Sequence, residues 1–508
     1  MKKNYLYHIF FFLFLCSNPL NAAFSLCETR WDWDTVDFLN VKFPRNFIWG
    51  TADSAFQTEG IETANGKTIQ NSWTAWEEQE IKKKDGTTQP RIALENRAGK
   101  GCERWSRYKD DVQLLKNIGM KAHCFSIDWS KIEPEKGVFD DGAMQHYIDY
   151  MNELIDNGIL PIVKLFDHNW PLWFEYPNQD IDDKKNWRKP AFEDPRNIQD
   201  FVDFALYVFN TCKNNGLLNV MNLWITFNEP VGIALAGYFY ELCPPGKKFN
   251  FKRSGIVAEI MLNTHIAVYD AFKAIAPDVM IGFAHIMQPI HAYHPWNPFD
   301  QIPAKIFNYL VNDVALNYFK TGSFKWLWLI RDFNADAINK LDFIGINYYT
   351  HTVLKMFKEA IRPGEKLSEG TNGKKGKVIY AEGFYDSIKK AASLGVPIFI
   401  MENGFATDTI ELRDEYIKKH LYVIFKALEE GIDIRGYFFW TLMDCYGWNR
   451  NNSNKHGIYT VDFTTQERTL KTSAQYLLDV IRDQSDGPEI EQFPKLGNDY
   501  LETMTITK

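Results

Sequence analysis

Along the chain, short unbroken apolar runs alternate with longer stretches in which apolar residues recur every three or four positions. The short runs are Phe47–Ala52, Ala122–Ser126, Leu160–Phe166, Leu223–Phe227, Met280–Ala284, Phe343–Asn347, Ile398–Met401 and Gly436–Trp440. Continuous apolar strands of this length belong to a sheet buried on both faces. The stretches between them read as amphipathic helices. Arg104 to Ile118 sets Trp105, Tyr108, Val112, Leu115 and Ile118 on one face and stops at Gly119. Met144 to Ile155 repeats the pattern and stops at Asn157-Gly158. Asp194-Pro195 opens another helix, through Phe201, Phe204 and Val208, and Glu411–Leu428 and Ser473–Ile481 are later examples. Eight strands alternating with helices, and no linker rich in Gly or Ser, predict an α/β fold: a single closed (β/α)8 TIM barrel. The polar stretches Tyr176–Lys189 and Arg362–Lys377 read as surface loops.

In such a barrel the functional groups stand at the carboxyl ends of the strands. Two of these ends carry a glutamate. Leu223-Trp-Ile-Thr-Phe227 runs into Asn228-Glu229-Pro230, and Pro230, which has no N–H, ends the ladder. Val396-Pro-Ile-Phe-Ile-Met401 runs into Glu402-Asn403-Gly404, where the glycine permits a tight exit. A buried carboxylate is costly unless paired or used. Two of them at one mouth are the equipment for cleaving a glycosidic bond. The first strand is followed by Gln57 and Glu59, the sixth by Asn347, Tyr348 and Tyr349, and the eighth ends at Trp440. Amides, a phenol, an indole and carboxylates offer a sugar hydrogen bonds and one stacking face. For Gln57 or Asn347 alone, a satisfied polar group of the core is an equally good reading. That reading weakens when five strand ends of eight follow the same pattern.

Composition narrows the picture. The 508 residues are 45% hydrophobic, enough for a large core, and 15% aromatic with 16 Trp, a surplus that suits sugar stacking or helix–barrel packing. A net charge of −8 offers no basic footprint for nucleic acid. The first 23 residues stand apart: Lys2 and Lys3, an apolar run over Ile9–Cys16, then small residues at Ala22 and Ala23. They read as a secretory signal peptide, leaving 24–508 as the barrel domain and a secreted or periplasmic location. An uncleaved anchor is the alternative, but the run is short for a span, and no later segment suggests membrane insertion. The seven cysteines, at 16, 27, 102, 124, 212, 243 and 445, show no metal spacing and assign no disulfide; buried free thiols are the default.

Longer motifs carry a resemblance. Phe43-Pro-Arg-Asn-Phe-Ile-Trp-Gly50 through Gln57-Thr-Glu-Gly60 resembles the amino-terminal signature of glycoside hydrolase family 1, the β-glucosidase family. Thr226-Phe-Asn-Glu-Pro230 resembles its acid/base motif and Ile400-Met-Glu-Asn-Gly404 its nucleophile motif. Gly237-Tyr238 through Pro244-Pro-Gly246, Asp342 to Thr350, and Gly436 to Trp448 follow in family order, so the likeness covers about residues 41–485. The resemblance implies Glu229 as general acid/base and Glu402 as nucleophile. It implies Gln57, Trp440 and Trp448 lining the sugar site, Asn228 on the sugar's 2-hydroxyl, Asn347 supporting the acid/base, and Tyr349 touching the nucleophile. It also implies a retaining double displacement on a small-molecule glycoside or oligosaccharide, with carboxyl groups about 5 Å apart and neither metal nor organic cofactor.

Three positions depart from the family pattern. Cys124 stands where the family has an arginine beside the nucleophile, Asp167 where it has a histidine, and Gly447 where it has a sugar-gripping glutamate. Strict strand alternation turns His168 away from the site, and it gives Lys164 the wrong parity relative to Asp167. A site stripped of its cation would raise the Glu402 pKa and suit a cationic or amino-bearing sugar better than an ordinary neutral hexose. Either His123 or His168 swinging inward would restore a near-normal site. The expectation is a secreted retaining β-glycosidase with an altered sugar subsite. A catalytically silent carbohydrate-binding barrel and a transglycosidase remain as alternatives on the same residues.

Overall fold

The computed structural model describes residues 31–61, 68–82, 86–176, 187–367, 377–448 and 451–483. The proposed signal peptide, Cys16 and Cys27, and most of the two polar loops, 176–189 and 362–377, lie outside the described residues or partly so.

Eight parallel strands close into a barrel: β1 Ile48–Ala52, β2 Ala122–Ser126, β3 Leu160–Phe166, β4 Leu223–Asn228, β5 Met280–Ile286, β6 Ile344–Tyr348, β7 Ile398–Asn403 and β8 Ile434–Trp440. Each pairs with its sequence neighbours, and β8 returns to β1 through Ile48–Ala52 against Gly436–Trp440. All eight apolar runs are therefore barrel strands, with ends moved by no more than two residues. The helices that follow them are α1 Arg104–Asn117, α2 Asp141–Asp156, α3 Ile198–Asn214, α4 Phe251–Ile275, α5 Val314–Thr321, α6 Ala381–Ala392, α7 Ile410–Glu429 and α8 Gln475–Arg482. Asp194 caps a 3-10 turn over Pro195–Asn197 that leads directly into α3. The long helix α4 escapes a reading by periodicity because its buried face includes Ser254, Gly255, Thr264 and His265. Among the described residues, no helix is long and apolar enough to cross a membrane.

Two hydrophobic layers result. Inside the barrel lie Ile48, Ala122, Cys124, Leu160, Ile162, Leu223, Ile225, Phe343, Phe399, Met401 and Phe438. The outward faces of the same strands, such as Phe125, Val163, Phe227, Ile346 and Ile400, join the helices in the larger core. Strict alternation fails at the mouth. On β4, Ile225 faces in, Phe227 packs outward on Phe201 with centroids 4.8 Å apart, and Asn228 faces in again. The register of β4 against β5 slips between Ile225 and Asn228. The register of β7 against β8 slips between Ile400 and Asn403, so Met401 and Glu402 both serve the interior. Such bulges re-aim side chains at barrel rims. At the exit from β7, Gly404 is required by a close approach: a Cβ there would lie 2.1 Å from the Trp440 carbonyl oxygen.

The segment after β1 is pinned by buried charge. Glu59 accepts from Arg104 of α1 at 2.5 Å, from Lys131 at 2.8 Å and from the Tyr147 hydroxyl at 2.9 Å. Arg104 also pairs with Asp53 at 3.1 Å, and Asp53 lies 3.3 Å from His123. These groups are all buried, and they fix the short helix Ala55–Thr58 that carries Gln57. Removing one member of a buried ionic cluster leaves its partners uncompensated and costs about 3–5 kcal/mol. Glu59→Ala should therefore destabilise the fold by about that amount, measured by denaturant unfolding against the parent.

Candidate active site

A cavity of about 440 Å³ opens at the carboxyl ends of the strands. Glu229 and Glu402 both line it, together with Gln57, Asn228, Tyr349, Trp440, Gly447 and Trp448. Asn347 stands just behind the wall. Its Nδ2 donates to Asn228 Oδ1 at 2.9 Å and to Glu229 Oε1 at 3.0 Å. The Tyr349 hydroxyl donates to Glu402 Oε2 at 2.6 Å. Gln57 is held at both ends, accepting from Ser54 Oγ at 2.8 Å and donating to the Tyr446 carbonyl at 2.5 Å. Trp448 is packed against Trp73, Phe56 and His168, with centroids 4.4, 5.7 and 5.1 Å away. All eight residues singled out in the sequence thus meet at one mouth.

Glu229 sits in the left-handed region, φ +50°, between the end of β4 and a helix that begins at Pro230. Its N–H donates to the Ala284 carbonyl at 2.8 Å, and this anchors the turn. Few residues other than glycine occupy that region, and such strain concentrates at functional positions.

The altered positions differ from the expectation drawn from strand alternation. Lys164 does face the site. Its ammonium lies 2.5 Å from Asp167 Oδ2 and 3.4 Å from Glu402 Oε1, and 5.3 Å from the centre of the Trp440 ring. Asp167 also faces in, because β3 ends at Phe166, whose ring packs outward against Phe192, Phe201 and Phe227. His168 lines the same cavity. It has left strand geometry, at φ +68°, and its Nδ1 lies 2.8 Å from Asp167 Oδ1. His123 stays on the outer side of β2, bound to Thr51 Oγ1 at 2.9 Å and beside Asp53. The cation missing at Cys124 is therefore supplied by β3, and Asp167 is neutralised by its own neighbours.

Electrostatics follow from these contacts. Burial pushes the Glu402 carboxyl up to about 7; the Lys164 ammonium opposes this, Glu229 and Asp167 add to it, and the Tyr349 hydroxyl opposes it. The direction is the one expected from the sequence, but the dominant cause is burial rather than a lost cation. Burial works to raise Asp167 too, yet Lys164 and His168 outweigh it and hold the carboxyl below its ordinary range. Burial opposes the charged His168 ring, and Asp167 reverses that, raising its pKa. Burial pushes the Cys124 thiol up, so it stays neutral. The five described cysteines are free and buried. Among the described residues, no group of three His, Cys, Asp or Glu is placed to hold a metal ion.

Sequence reasoning assigned Lys164 no part in the site. The available signal was a lysine inside Leu160-Pro-Ile-Val-Lys-Leu-Phe166, since a lysine is almost never buried unless paired. The outer wall, with Leu242, Val353, Ile361, His351 and Lys377, comes from segments beyond the barrel strands and carried no legible signal.

A parallel eight-stranded barrel with two carboxylates, amides and indoles at its carboxyl-terminal mouth defines a glycosidase of the TIM-barrel class. Residues 39–486 match Glycosyl hydrolase family 1, and the chain belongs to that family: it is a glycoside hydrolase acting on O-glycosyl compounds. It is 27% identical to Beta-glucosidase A of Thermotoga maritima over 87% of this chain and 99% of that protein. It is also 27% identical to 6-phospho-beta-glucosidase GmuD of Bacillus subtilis, over 86% of this chain and 97% of that one. The solved beta-glycosidase from Pyrococcus horikoshii superposes with a TM-score of 0.71 at 29% identity, covering 91% of this chain and 98% of that one.

The Tyr349 hydrogen bond is made to a carboxylate, and such bonds contribute about 1.5–3 kcal/mol. Its loss should raise the Glu402 titration midpoint by about one to two pH units. Carbon-13 carboxyl NMR of Tyr349→Phe against the parent checks this; a midpoint that stays near the parent's would show that the hydroxyl does not support the charge.

Proposed function

We propose that the protein is a secreted, retaining β-glycosidase that works by double displacement. Glu229 protonates the leaving oxygen and Glu402 attacks the anomeric carbon; Glu229 then activates the water that releases the sugar. The observation that carries this reading is the differential support of two glutamates on one cavity. Glu402 accepts from a phenolic hydroxyl and lies beside an ammonium, which oppose the upward push of burial on its carboxyl, while among the described residues Glu229 accepts from the Asn347 amide. A nucleophile must be ionised to attack, and the hydroxyl and the ammonium are what Glu402 has for that. Gln57, Trp440 and Trp448 would contact the sugar, with Asn228 beside its 2-hydroxyl. The Lys164 ammonium also removes the main ground for a catalytically silent barrel, namely the missing charge at Cys124.

The sugar preference is the finer part of the proposal. Asp167 already engages Lys164, His168 and the Asn228 amide, so it has little reason to seek a cationic sugar. The amino-sugar preference expected from the sequence loses its motive. Gly447 remains. Without a carboxylate there, the far hydroxyls lose a hydrogen-bonding partner, and a substituent on them gains room. We place the preference on neutral β-glycosides, with altered recognition at the far end of the ring. Neutral, 6-phosphorylated and amino-bearing aryl β-glycosides, compared by kcat/KM, decide among these. A marked preference for the amino sugar would overturn this reading.

Glu402→Ala should lower turnover by at least about a thousandfold, and azide should partly restore it with inverted product configuration. Unchanged turnover in the variant would remove the assignment. With Glu402 titrating near 7, kcat/KM of the parent should be present above that pH and fall as pH drops through it.

Export is proposed from Lys2-Lys3 and the Ile9–Cys16 run. Amino-terminal sequencing of protein from the native host should find a first residue near position 23 or 24; a chain still starting at Met1 would support an anchor.

A further inference from the structure

Lys164 is 1% exposed at its side chain and stands inside the barrel between two carboxylates. It is not shared evenly. Asp167 holds it at 2.5 Å and Glu402 at 3.4 Å. Asp167 is itself held in place, since its other oxygen accepts from Asn228 Nδ2 at 3.1 Å and lies 2.8 Å from His168 Nδ1. Asn228 is bound to Asn347, and Asn347 to Glu229, so a run of hydrogen bonds leads from one glutamate through the ion pair to the other. The groups that face Glu402 are Lys164, Asp167 and His168 from the end of β3, Cys124 from β2, Glu229 from β4, Tyr349 after β6 and Cys445 after β8.

We propose that Lys164 is a positioning residue for Glu402 and that Asp167 is the resident counter-ion of Lys164. This rests on Glu402 being the nucleophile. In the first displacement, a lone pair of a Glu402 oxygen forms the bond to the anomeric carbon. The leaving oxygen departs with its bonding pair and takes the proton of Glu229. Glu402 thereby goes from charge −1 to a neutral ester, and Glu229 becomes a carboxylate. A buried ammonium paired with Glu402 alone would lose its partner at that moment, and an uncompensated buried charge is strongly unfavourable. With Asp167 as the closer partner, Lys164 stays paired through the life of the glycosyl-enzyme. It supports the carboxylate before attack without opposing the ester after it.

Two readouts test the proposal without requiring the natural substrate. Lys164→Met should raise the Glu402 titration midpoint, followed by carbon-13 carboxyl NMR, by at least about one pH unit, a tenfold change in ionisation. Lys164→Met/Asp167→Asn removes the pair as a neutral unit, so an ionisation effect can still be read if the single variant does not fold. It too should titrate above the parent. Lys164→Met/Cys124→Arg puts a cation back from β2 and should return the midpoint toward the parent value. Asp167→Asn should leave Glu402 ionised. It should slow formation of the glycosyl-enzyme at least about tenfold, measured as the rate of labelling by 2-deoxy-2-fluoro-β-D-glucosyl fluoride. The peptide that carries the label separates the two levels: a label elsewhere than Glu402 overturns the nucleophile assignment itself. A label on Glu402 with an unmoved midpoint in both Lys164 variants overturns the role of Lys164. An unchanged labelling rate in Asp167→Asn overturns the counter-ion role.

Discussion

A carboxylate can stand at the top of an apolar barrel only if something compensates its charge, and much of this mouth is that compensation. Below Glu402 the interior is Phe399, Met401, Phe438 and Ile162, which offer it nothing. What it receives comes from the rim: one hydroxyl, one ammonium, and neighbours that hold each of these in turn. The barrel supplies the convergence of eight strand ends, and the polar network makes that convergence tolerable. The second charged cluster, around Glu59, Arg104 and Asp53, obeys the same rule one layer out and serves to hold Gln57 at the site.

The fold was legible in the chain because closed parallel barrels bury their strands on both faces. That leaves apolar runs, such as Leu160–Phe166, that no surface strand would show. The two glutamates were legible for the complementary reason: Glu229 and Glu402 each interrupt such a run at its end. What misled was the rule of alternation. It holds within the strands, where Ile162 and Ile225 face in and Val163 and Trp224 face out. It fails where β3 ends and where the registers of β4 and β7 slip, and there the residues of the site are presented. A strand end or a register slip leaves no mark on residue type, so the inward placement of Asp167 could not be read from spacing, whereas Lys164 keeps the parity of Leu160 and Ile162.

The three departures from the family pattern also change meaning once they are seen together. Taken singly, Cys124 removes a charge and Asp167 adds one of the wrong sign. In space, Lys164 supplies the missing cation from the adjacent strand, and Asp167 and His168 form a paired unit with it. A cation beside Glu402 is restored while its source has moved. Gly447 belongs to no such exchange, and of the three positions it is the one whose effect falls on the sugar alone.

The backbone of Glu229 has a consequence for how this chain could change. A residue with a side-chain Cβ in the left-handed region carries about 1–2 kcal/mol of conformational penalty, which glycine escapes and asparagine partly escapes. Backbone preference alone would therefore favour glycine or asparagine in place of Glu229, at the cost of the acceptor that Asn347 now uses. A glutamate at that position works against the backbone's own preference, the kind of strain that gathers at functional positions.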